Sequence, residues 1–154
     1  MLIYLIRHAH AVKGTEDAGR RLSKKGRGQV IKVAAFLRQG HLLGAREFWH
    51  SPLVRSRETA EQLVRRLKVR AKLVEVGGLE PEADPAVLAR RLQRWRRSVA
   101  VVGHEPHLGA LAALLLSGGT RAPFVVFRKC AVLTLERTGE RWLLRWQISP
   151  EEIS

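Results

Sequence analysis

The stretch MLIYLIRHAHA (residues 1–11) decides how this chain is read. Met1 to Ile6 is a short apolar run with Ile and Tyr, which predicts a buried strand. It passes directly into Arg7 and His8, with Ala9 and a second histidine, His10, behind them. A strand tip is where α/β proteins gather reacting groups, and it is also where any chain leaves its core and becomes polar. The choice between these readings depends on what the other strand tips carry.

Working outward, strand and helix patterns alternate. Ser23 caps a helix to about Gln39, with Val30, Val33, Ala34 and Leu37 on one face and Gly40 as its stop. Glu47–His50 is a short strand. Ser51-Pro52 opens a helix to about Leu67, because serine caps and proline fits a first turn. Lys72–Val76 is a strand, and Asp84-Pro85 starts a helix to about Trp95. Ser98–Val102 is an apolar strand ending at Gly103-His104. Pro106 to Leu116 is an almost wholly apolar helix, hence buried on most sides. Val125–Phe127, Ala131–Glu136 and Trp142–Ile148 read as late strands, with a turn at Thr138-Gly139. This order predicts an α/β three-layer sandwich: a mostly parallel central sheet, helices on both faces, and an antiparallel addition near the end. The whole of residues 1–154 reads as a single domain, with no repeats or linkers.

In a parallel sheet the carboxyl ends of the strands share one edge. Arg7-His8, Ser51-Pro52 with Arg55 one helical turn on, and Gly103-His104 would then meet in one crevice. Arginine forks match phosphate oxygens. One histidine can attack phosphorus, and another can stabilise charge on the transferring group.

Composition limits the alternatives. Apolar residues make up 45% of the chain, enough for a full core. The longest apolar run, Leu108 to Leu116, is far short of the roughly 20 residues a membrane span needs, and no stretch reads as a signal peptide. A soluble, cytoplasmic protein with no membrane partner is expected. The lone cysteine, Cys130, sits among apolar residues and reads as a buried thiol. The net charge is +14, which suits a nucleic acid, an anionic substrate or an acidic partner. The basic residues are scattered over helix faces, and no regular spacing of stacking aromatics supports a nucleic-acid-binding module. His8, His10, His104 and His107 offer metal-ligand chemistry, but no Cys or Asp stands at ligand spacing beside them. His10 and His107 are expected in loops near the crevice, and His41 and His50 in structural or exposed positions.

LIRHAHA (5–11), DAGRRLSKKG (17–26), SPLVRSRETAE (51–61), VVGHEPHLG (101–109) and RWQISPEE (145–152) together resemble the histidine phosphatase superfamily. They are most similar to its short SixA-type phosphohistidine phosphatases. The resemblance implies a phosphoglycerate mutase-like fold and a metal-independent phosphatase with no cofactor, since the arginines supply the positive charge. It implies that His8 takes the phosphoryl group and that Arg7, Arg55 and His104 surround its oxygens; Arg20 is a candidate substrate contact, with a solvated arginine before a helix as the alternative. It implies a phosphorylated protein, carrying phosphohistidine, as partner. The alternative within the superfamily is a small phosphate ester. Ser51 is expected to act mainly as a helix cap. Two features depart from the family pattern. Ala9 replaces the motif glycine. Gly77-Gly78-Leu79-Glu80-Pro81-Glu82 carries proline where many members have an acid, so Glu80 and Glu82 are the candidate replacements. A missing acid would expel alkoxides slowly. It fits a phosphoramidate substrate, whose imidazole leaving group protonates easily.

Overall fold

The computed structural model describes residues 1–154. Six strands form one sheet: β1 (Leu2–Arg7), β2 (Glu47–His50), β3 (Lys72–Glu75), β4 (Val99–Gly103), β5 (Val132–Thr138) and β6 (Arg141–Ile148). Four helices connect them: α1 (Lys24–Gln39), α2 (Val54–Leu67), α3 (Pro85–Arg94) and α4 (His107–Ser117). The strand order is β3-β2-β4-β1-β5-β6. The pairs β3–β2, β2–β4 and β4–β1 are parallel, and β5 and β6 join antiparallel.

Both faces of the central strands are apolar, as strands covered on two sides must be. Ile3 and Leu5 point to one layer with Val99, Val101, Leu133 and residues of α3 and α4, such as Leu88, Leu92, Leu108 and Leu111. Tyr4 and Ile6 point to the other, with Phe48, Ala100, Val102 and residues of α1 and α2, such as Val33, Leu37 and Leu63. The two-residue alternation of β1 thus divides the core into two halves.

Local signals set most boundaries. Ser23 caps α1 by accepting from Gly26 N, and Asp84 caps α3 by accepting from Ala86 N, with Pro85 in the first turn. Register then places the site: Arg7 pairs with Gly103, and His50 with Val102, at the carboxyl ends of neighbouring strands.

Three expectations are corrected. Val125–Phe127 is an irregular loop rather than a strand, its carbonyls at Val126 and Phe127 accepting from the side chains of Gln147 and Arg7 instead of a neighbouring strand. Helix α2 begins at Val54 after Leu53, which has extended backbone, so Ser51 does not cap it. His107 is the first residue of α4 and is buried, rather than lying in a loop. A one-turn 3-10 helix at Asp17–Gly19 has no apolar period to announce it. No helix is long and apolar enough to cross a membrane.

Candidate active site

The end of β1 delivers Arg7 and His8 to the carboxyl edge of the sheet. His8 N donates to Gly103 O at 2.9 Å, which continues the β1–β4 ladder one residue beyond the strand. Ala9 N donates to Thr59 Oγ1 on α2 at 3.0 Å, and that hydroxyl donates to Arg55 O at 2.7 Å. The chain is therefore held on both sides of the His8 ring. Ala9 is fully buried, so the small side chain at this position fits a close approach of helix α2.

His8 and His104 face each other with ring centroids 5.0 Å apart. His8 Nδ1 lies 2.7 Å from Ala9 O. A carbonyl can only accept, so Nδ1 carries the proton and the lone pair is on Nε2. Burial, reinforced by His104, Lys129 and Arg55, pushes the His8 pKa down to about 2. The ring is neutral at any physiological pH. Burial and then Arg55 push His104 down to about 3.

Arg7 and Arg55 arrive from opposite sides. Arg7 Nη1 donates to Phe127 O at 2.7 Å, which ties β1 to the loop before β5. Arg55, in the first turn of α2, donates to Asp17 O at 2.9 Å and to Asp17 Oδ2 at 3.3 Å. Asp17 also accepts from Arg20 Nη1 at 3.2 Å. One carboxylate thus aims two arginines, and Arg20, Arg55 and Asp17 form a single cluster beside His104, on which Arg55 and Asp17 both act. Arg20 is further fixed by donating to Val12 O. The Nε atoms of Arg7 and Arg55 are buried without a protein acceptor.

Ser51 is part of this centre. Its Oγ lies 2.6 Å from His104 Nε2 and accepts from Leu53 N at 3.3 Å. The hydroxyl is fully buried. The expected cap is instead the group that orients His104. Ser56, one helical turn on, donates to Val102 O at 2.6 Å and accepts from Ser51 N, locking the β2 tip to β4.

The remaining candidates are placed differently. Glu80 turns its carboxylate to Gly78 N at 2.9 Å and acts on His107. Glu82 is exposed. His10 bonds Ser23 through Nδ1 at 2.6 Å, so its ring belongs to the start of α1. His50 is buried against Ser51 O, and His41 is exposed at the end of α1. Cys130 is fully buried, and burial pushes its thiol up to about 12.

Two groups at the centre add to the expected site residues, and the first stands inside the segment VVGHEPHLG (101–109). Glu105 follows His104, accepts from Gly109 N and acts on Arg7; burial raises its carboxyl pKa. Lys129 lies in the loop before β5, between Phe127, whose carbonyl accepts from Arg7, and Cys130, whose N donates to His8 O, and its charge acts on His8 and His104. A surface groove of about 680 Å³ runs beside Arg20, Arg21, Arg27 and Glu58 and includes neither site histidine.

A neutral imidazole with a free Nε2, facing a second imidazole and flanked by arginines, has the parts for phosphoryl transfer. The pattern of the histidine phosphatase superfamily (branch 1) matches residues 3–81, the half of the chain that carries Arg7, His8, Arg20 and Arg55. The chain belongs to this superfamily. Its fold is that of phosphoglycerate mutase-like proteins. The protein histidine phosphatase SixA, solved in complex with tungstate, is similar over 97% of both chains, with 25% identity and a TM-score of 0.86. The alpha-ribazole phosphatase from Shigella flexneri superposes over 97% of both chains, with 14% identity and a TM-score of 0.79. A phosphoserine phosphatase mutant from Entamoeba histolytica, in complex with phosphoserine, covers 97% of this chain and 98% of its own, with 15% identity and a TM-score of 0.71. The last two show the fold alone. No curated protein matches the sequence. Membership and neighbours support phosphatase activity for this histidine phosphatase.

Proposed function

We propose that residues 1–154 act as one catalytic domain that removes phosphate from phosphohistidine on a protein, in the cytoplasm, through a phosphoenzyme on His8. The observation that carries this reading is the bond from His8 Nδ1 to Ala9 O, which leaves the Nε2 lone pair for phosphorus. Similarity to the SixA phosphatase over 97% of both chains supports the substrate class.

In the first step His8 Nε2 attacks phosphorus in line, the bond from phosphorus to the leaving nitrogen or oxygen breaks, and the leaving group takes a proton. Arg7, Arg55 and His104 hold the three equatorial oxygens, where charge concentrates in the transition state. Arg20 contacts the substrate beyond the phosphoryl group. In the second step water attacks the phosphohistidine, gives up a proton, and phosphate leaves with His8 restored. Neither Glu80 nor Glu82 is among the groups that act on His8. A leaving imidazole, protonated readily in water, needs less help than an alkoxide. The +14 charge would draw an acidic phosphoprotein to the site.

A substrate panel tests this. Phosphohistidine protein should be turned over far faster than phosphoserine, phosphotyrosine or sugar phosphates, with an acid-labile phosphoenzyme trapped on wild type. Preference for a single small phosphate ester would overturn the substrate assignment. A His8→Ala variant that keeps most of its rate would overturn the nucleophile.

A further inference from the structure

We infer that Lys129 is a further cation of the phosphoryl pocket, one that holds the substrate's oxyanion. The inference rests on the reading of this pocket as a phosphoryl site.

The loop around Lys129 is built onto the reacting pair. Arg7 Nη1 bonds Phe127 O, Cys130 N donates to His8 O at 3.2 Å, and Arg7 N donates to Ala131 O at 3.1 Å. Lys129 sits between these anchors. Cys130 holds a positive φ of 61°, a conformation non-glycine residues seldom adopt, and its side chain is packed into the core.

What the Lys129 ammonium meets there is unusual. It forms none of the ion pairs in the protein, whereas Arg20 and Arg55 share Asp17. The charges that bear on it are Arg7 from β1, Arg20 from the segment after the 3-10 turn, and Arg55 from α2, all of its own sign. It acts in turn on His8, His10 and His104. Glu105 acts on Arg7 and Asp17 on His104, so each nearby acid serves another group. An anion that joined these like charges would relieve their repulsion. A tetrahedral dianion supplies that charge. Burial and these arginines push the Lys129 pKa down to about 8, while both site imidazoles titrate far below neutrality. Arginine does not titrate in the usable range. Lys129 is thus the site cation that loses its charge between neutral and mildly alkaline pH.

Sulfate is a suitable probe because it stays a dianion throughout that range. Its binding is followed by calorimetry, without turnover, on wild type, Lys129→Gln, Lys129→Arg and Lys32→Gln. The last removes the same charge from the exposed face of α1. Wild type should bind sulfate near neutral pH and lose affinity with a one-proton slope above about pH 8. Lys129→Gln should bind about tenfold to a hundredfold more weakly at neutral pH, the worth of a charge-assisted hydrogen bond, and show no alkaline loss. Lys129→Arg should bind well and keep its affinity into alkali, and Lys32→Gln should follow wild type. Sulfate binding by Lys129→Gln within twofold of wild type, an unchanged alkaline limb in Lys129→Gln or Lys129→Arg, or no sulfate binding by wild type would each overturn the inference. The His8→Ala test of the reaction reads turnover, so either result can fail while the other stands.

Discussion

The two site imidazoles should make the fold sensitive to mild acid. Burial first, then neighbouring cations, hold His8 at about 2 and His104 at about 3, against about 6.5 in an unfolded chain. Below pH 6.5 the unfolded chain binds protons that the folded protein refuses. Stability is therefore fully present near neutrality and is lost as pH falls, down toward the folded values. The slope approaches about 1.4 kcal/mol per pH unit for each ring, so between about pH 7.5 and about pH 5 each ring costs about 2 kcal/mol and the pair about 4 kcal/mol. His10 and His107 are shifted the same way and add to the loss. Glu105, raised by burial, opposes it weakly, and the lowered carboxyls of Asp17, Asp84 and Glu152 act mainly below this window. Urea unfolding followed by tryptophan fluorescence at the two pH values measures the loss. His8→Gln removes one of the rings, so its loss should be smaller than that of wild type by about 2 kcal/mol. A variant that loses as much as wild type would refute the argument that a buried neutral His8 sets this sensitivity.

Other perturbations test how the site is held. A Cβ at Gly26 would stand 2.0 Å from His10 O, where Ser23 N now donates at 3.0 Å, so the first turn of α1 and the chain after His8 must part. Gly26→Ala should cost about 2–4 kcal/mol in urea unfolding, the loss of two or three buried hydrogen bonds less a small gain in helix propensity. Ser51→Ala leaves His104 with no side-chain partner in a buried setting and should cost about 1–3 kcal/mol, with a drop in turnover. Stability within experimental error of wild type would remove Ser51 from the centre. Lys68 ends α2 in the left-handed region, with φ of 54°, and is exposed. Lys68→Gly should stabilise the fold by about 0.5–1 kcal/mol, since glycine adopts that conformation without strain. A lower melting temperature would show that the lysine contributes something beyond its backbone angle.

The sequence alone determined what depends on local periodicity. Continuous apolar runs marked β1 and β4, and the i, i+3, i+4 pattern marked α1 and α2. Ser23 and Asp84 marked starts because a cap bonds within its own turn. With parallel strands established, the tips carrying His8 and His104 had to share an edge, and the family motifs picked out Arg7, Arg55 and Arg20. Only tertiary structure decided which group each side chain would meet. Ser51 followed by Pro52 is the local pattern of a cap, yet its hydroxyl is taken by His104, 53 positions away. Asp17 opens the family segment DAGRRLSKKG, but only the fold shows that Arg55 reaches it from 38 positions away. Val125–Phe127 has the composition of a strand, but its carbonyls are taken by the side chains of Arg7 and Gln147, 120 and 21 positions away. Lys129 belongs to no motif and reaches the centre because Arg7 and His8 capture the loop around it. LIRHAHA marked the strand tip that carries Arg7 and His8, and contacts distant in sequence decided how its histidine is aimed, kept neutral and surrounded by charge.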